Sequence, residues 1–75
     1  MTATEKLYRN LEAERTRKGW TISEAAEKLG ITEATYVNRK KKLSRMSGDE
    51  LVKISTVFGV SVDYLLGLTD KINIA

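Results

Sequence analysis

The 75-residue sequence contains no cysteine, histidine, proline or glutamine. Without Cys, no disulfide can brace the chain and no thiolate can hold zinc. Without His, there is neither an imidazole base nor an imidazole metal ligand. Ser-His-Asp and Cys-His nucleophiles are thereby excluded, and most metalloenzymes with them. The catalytic-type groups that remain are carboxylates and lysines, and no pair is spaced for acid–base work. No enzyme, metal or cofactor is expected. The absence of Pro suits a mostly helical chain with short connections. Neither an apolar signal region near the start nor an apolar run long enough to span a bilayer is present, so a cytoplasmic location away from membranes is expected.

What is present is 41% hydrophobic and 31% charged, an ordinary globular balance. The length allows one domain, residues 1–75, with no room for a second core. A short apolar tail, 68–75, closes it.

Helix starts are legible. Thr2/Glu5, Thr21/Glu24 and Ser47/Glu50 fit the capping box, in which a hydroxyl and a carboxylate satisfy each other's backbone amides. Thr32 and Ser61 are further N-cap candidates. Gly19, Gly30, Gly59 and Gly67 mark the stops. The pattern predicts an all-α chain with helices at about 3–17, 22–29, 32–42, 48–58 and 62–66. Leu7/Leu11, Ala25/Ala26/Leu29, Tyr36/Leu43, Leu51/Ile54/Phe58 and Val62/Leu65/Leu66 recur at helical spacing and form the candidate core. Trp20, Ile31 and Val60 fall in connections, where they can plug gaps between helices. So small a core is expected to be filled by its own side chains, leaving little to line a ligand pocket.

The net charge of +3 is unevenly placed. Arg39, Lys40, Lys41, Lys42 and Arg45 fall within seven positions, while the other 68 residues carry eight basic and ten acidic side chains. A cationic cluster of this kind suits a polyanion or an acidic protein surface. It also suits the C-terminal end of a helix dipole.

Residues 22–41 have the anatomy of two helices crossing at a tight turn. The small Ala26 lets the second helix approach the first, and Gly30 supplies the positive φ of the turn. The stretch GWTISEAAEKLGITEAT, Gly19 to Thr35, resembles the Cro/CI-type (XRE-like, lambda-repressor-like) helix-turn-helix family of phage regulators. FGVSVDYLLG, Phe58 to Gly67, and NLEAERTRKG, Asn10 to Gly19, extend the resemblance over nearly the whole chain. It implies a compact five-helix DNA-binding domain with the helix-turn-helix at the second and third helices. It also implies a small transcription regulator of the lysis–lysogeny type, acting on double-stranded operator DNA in a bacterial host cell.

Carried over position by position, the resemblance places Thr32, Glu33, Ala34, Val37, Asn38 and Lys41 toward DNA. Asn38 can bond an adenine edge, Val37 can touch a thymine methyl and Glu33 can accept from a cytosine amine. Lys40, Lys41, Lys42 and Arg45 would lie along the phosphates. Thr32 can contact a phosphate or serve as a plain N-cap.

The chain departs from the family pattern at several positions. Ile22, Glu33 and Ala34 stand where Gln is frequent, and Arg39 stands at a usually apolar site. Lys40 replaces an acid that commonly pairs with the Arg corresponding to Arg15. The link from Lys42 to Gly48 is about one residue longer than is usual in the family, so the third helix is expected to run to Leu43, with Leu43 filling the slot that Arg39 cannot. A kept scaffold with an altered reading face also fits an antirepressor or modulator that grips another phage repressor protein. The aromatic residues read as core, so no stacking platform for RNA is evident. In the tail, Tyr64, Leu66, Leu68, Ile72 and Ile74 offer an apolar face for a homodimer or a protein partner.

Overall fold

A computed structural model describes residues 1–71. Among these, five α-helices and no strand occur: α1 Ala3–Arg17, α2 Ile22–Lys28, α3 Glu33–Lys42, α4 Gly48–Phe58 and α5 Val62–Leu65. Each expected start is made as the sequence implies. Thr2, Thr21 and Ser47 form capping boxes with Glu5, Glu24 and Glu50, and the hydroxyls of Thr32 and Ser61 accept from the amides of Thr35 and Tyr64.

α2 packs on α3, while α1 and α4 both pack on α5. Ala25 and Ala26 are buried where α2 meets its neighbours, and Gly30 turns the chain into α3 at φ +72°. Asn10, buried on α1, donates through Nδ2 to the carbonyls of Tyr64 (2.8 Å) and Leu65 (3.2 Å), satisfying the end of α5. Gly67 follows α5 at φ +74°, and an added Cβ there would lie 2.5 Å from Cδ of Lys6, so the turn favours glycine. The radius of gyration is 11.3 Å, close to the roughly 11 Å of a well-packed chain of this length.

The core centres on Phe58, Leu11, Leu65 and Val60. Trp20 and Ile31 pack against it from the connections, half-buried.

Two expectations fail here, for one reason. α3 stops at Lys42, and Leu43 follows at φ 51°, ψ 46°, 42% exposed. Amides of Leu43 and Ser44 bond back to the carbonyls of Lys40 and Arg39, the same closing pattern that Gly30 and Ile31 make after α2. A leucine therefore sits in the left-handed position that glycine takes after the other helices, and the reversal carries it away from the core. The slot stays open. Instead of a filled core there is a cavity of about 250 Å³ between α1, the α2–α3 turn, α3 and α4.

Candidate nucleic-acid interface

α3 presents one uncovered face. Glu33, Ala34, Val37, Asn38 and Lys41 are all exposed and line a single shallow hollow open to solvent. Their i, i+4 spacing stacks them along the helix in two adjoining rows. Opposite them, Tyr36 is buried in the core. Thr32 is exposed at the head of α3, and its hydroxyl is engaged twice, accepting from the Thr35 amide (3.1 Å) and donating to Thr35 Oγ1 (2.8 Å).

The basic cluster resolves into two groups. Arg39 is drawn to Glu50 on α4. Lys40 Nζ lies 3.6 Å from Glu12 on α1. Lys41, Lys42 and Arg45 are exposed and make no ion pair among the described residues. Three of the five cations are therefore available to an external anion.

What fixes α3 on the body is Glu12, which sequence reasoning passed over. Its Oε2 accepts from Arg15 Nε (3.0 Å) and Nη2 (2.8 Å), and its Oε1 accepts from the Tyr36 hydroxyl (2.8 Å). Arg15 Nη1 continues the network to the Trp20 carbonyl (2.7 Å). The acid that position 40 lacks is thus supplied by α1, three residues before Arg15, with Lys40 on its periphery. That i, i+3 spacing was the available signal. Glu50 was likewise legible as a cap but not as the partner of Arg39.

Burial alone would raise the Glu12 carboxyl. Hydrogen bonds from Arg15 and Tyr36, with the charges of Arg15 and Lys40, outweigh it and hold the group below the usual carboxylate range. The Tyr36 hydroxyl is pushed up by burial first and by Glu12 second. Glu5, Glu24 and Glu50 are lowered chiefly by the cap amides that bond to them.

A carboxyl lowered by folding contributes stability that is fully present above its unfolded pKa and fades as pH falls through its folded one. Thermal melts across pH should therefore be flat between about pH 5 and pH 9, fall steadily below about pH 4, and fall again above about pH 10, where unfolding frees the Tyr36 hydroxyl to ionise. Glu12→Gln should flatten part of that acid limb. A melting temperature that rises on acidification from neutral pH would contradict this account.

Of the proposed apolar interface, Tyr64 and Leu66 are half-buried against the core, and Leu68 is 72% exposed. Ile72 and Ile74 lie outside the described residues. No helix among the described residues is long and apolar enough to cross a membrane.

A family model described as helix-turn-helix matches residues 11–65, a span running from α1 to the end of α5. The uncharacterized HTH-type transcriptional regulator YobD of Bacillus subtilis (strain 168) is 40% identical over 50 residues, covering 67% of this chain and 45% of its own. The HTH-type transcriptional regulator ImmR of the same organism is 39% identical over 61 residues, covering 81% of this chain and 48% of its own. The chain thus spans about half the length of these relatives. No solved structure matches it at comparable stringency.

Proposed function

Because the chain belongs to the helix-turn-helix family, we propose that it regulates transcription by binding operator DNA, with α3 in the major groove. One observation carries this reading: the exposed row of Glu33, Ala34, Val37, Asn38 and Lys41 lies on the same helix as free cations at its end. The row reads and the cations grip. Asn38 bonds an adenine edge and Val37 meets a thymine methyl, while Lys41, Lys42 and Arg45 neutralise phosphates. Lys40 contributes less, being shared with Glu12. Thr32 keeps its cap and touches phosphate at most through its backbone. The action is binding without catalysis, in the manner of a phage-type switch regulator in the cytoplasm.

A two-fold dimer built on Tyr64, Leu66 and Leu68 belongs to the same reading. The domain is 30 Å in its longest dimension, which suits recognition helices set about 34 Å apart on successive major grooves.

Titration against the DNA flanking the gene tests the proposal. Tight binding to one site that weakens steeply with salt is expected. Asn38→Ala should lower affinity for that site by roughly 10- to 100-fold, leave non-specific binding unchanged and leave the melting temperature close to that of the parent. Equal binding to the site and to a scrambled duplex would reject the proposal. A complex with a neighbouring regulator in place of DNA binding would point to the antirepressor role.

A further inference from the structure

The cavity between α1, the α2–α3 turn, α3 and α4 divides into an apolar interior and a charged lip. Its interior is apolar: Leu11, Leu29 and Ile54 line it, all buried. Tyr8 and Tyr36 also line it, but their hydroxyls are committed elsewhere. Tyr8 donates to the Ser44 carbonyl (2.7 Å) and Tyr36 to Glu12 (2.8 Å). No buried side-chain nitrogen or oxygen among the described residues lacks a partner. The interior therefore offers a guest apolar contact and no free side-chain donor.

Charge is confined to the lip, where Arg39, Glu50 and Lys53 meet solvent. Arg39 and Glu50 neutralise each other. Lys53 makes no ion pair among the described residues, and its Nζ lies 3.1 Å from where a Cβ on Gly30 would sit. An uncompensated ammonium thus overhangs the α2–α3 turn at the mouth.

We propose that this cavity binds a small amphipathic carboxylate, its apolar body among Leu11, Leu29 and Ile54 and its carboxylate on Lys53. The size is adequate. A dry apolar cavity of about 150 Å³ accommodates benzene, and this one has about 250 Å³, room for a chain of about eight carbons. Half-buried Met46 on the lining adapts to a guest of irregular shape. The opposite choice, a cationic guest, would set its charge against Lys53 while Glu50 is already taken by Arg39. The wall includes Tyr36 and Arg39 of α3, so occupancy bears on the helix assigned to DNA. That consequence rests on the regulator reading; binding itself does not.

The test titrates the full chain with octanoate, octanol and octylammonium, following the methyl resonances of Leu11, Leu29 and Ile54 by NMR. Octanoate should shift these methyls saturably and bind about tenfold more tightly than octylammonium. Lys53→Glu, an exposed change that leaves the core intact, should reverse the order. Ile31→Phe, which fills the cavity from its half-buried edge, should abolish the shifts. If Ile31→Phe does not fold, the Lys53→Glu reversal still decides. Unmoved methyls, equal binding of all three probes, an unchanged order in Lys53→Glu or undiminished binding in a folded Ile31→Phe would each overturn the proposal. Failure of DNA binding alone would not.

Discussion

Phe58→Ala is expected to leave the chain largely unfolded at 25 °C. Phe58 is 0% exposed and the largest fully buried side chain of the described residues, at the end of α4. Its ring meets Trp20 edge-on, with centroids 5.1 Å apart and planes at 68°. Truncating a buried Phe costs about 3–5 kcal/mol, and losing a well-placed aromatic pair costs about 0.5–1.5 kcal/mol more. A domain of this size, with no disulfide to brace it, rarely has more than about 3–5 kcal/mol in total. The deletion therefore removes about as much as the fold has. Far-UV circular dichroism should show most helix signal lost. Trp20, the single tryptophan, should show the red-shifted emission of a solvated indole. A cooperative melt displaced by less than about 10 °C would mean that the core tolerates the hole.

The parts of the fold that were legible in the sequence are those set by neighbours in the chain. A capping box needs two residues three apart, so Thr2, Thr21 and Ser47 announced the starts of their helices to the residue. The row 33, 34, 37, 38 and 41 was named from the family resemblance, and helical spacing accounts for its sharing one face. What escaped was settled across space. Leu43 lies seven residues after Tyr36 and reads as core by periodicity, yet a left-handed closure at that residue turns it outward. Nothing in the sequence flags a leucine in a glycine's conformation. The cavity escaped with it, since its existence depends on where Leu43 and Arg39 go.

The cationic cluster shows the same limit. Five charges in seven positions are visible in the sequence, but which of them remain free depends on Glu12 and Glu50, which lie on other helices. Glu12 holds α3 through Tyr36 and engages Arg15 by two guanidinium bonds, so it is a fixed point to which Lys40 is tethered. The fold thus uses two members of the cluster to brace the helix and leaves three at its end.

Neutralising those three, in the variant Lys41→Gln, Lys42→Gln, Arg45→Gln, should weaken DNA binding on the order of a hundredfold at moderate salt. Each charge contributes about 1 kcal/mol against a phosphate at the high-dielectric limit, and every 1.4 kcal/mol is about tenfold. The salt dependence is the sharper measurement. The slope of log affinity against log salt should become shallower by about 0.9 for each phosphate that is no longer neutralised, or about 2.7 for three. Lys40→Gln is the informative contrast, because Lys40 already lies beside Glu12 and displaces fewer ions when DNA arrives. Its slope should stay close to the parent's, while some stability is lost where α1 meets α3. Helix content should be unchanged in the triple variant, since all three side chains are exposed and make no ion pair among the described residues. If both variants gave slopes parallel to the parent, the end of α3 would not be where the chain meets phosphate. If Lys40→Gln changed the slope as much as a free lysine does, DNA would be pulling Lys40 away from Glu12, and binding would be loosening the contact that orients the reading helix.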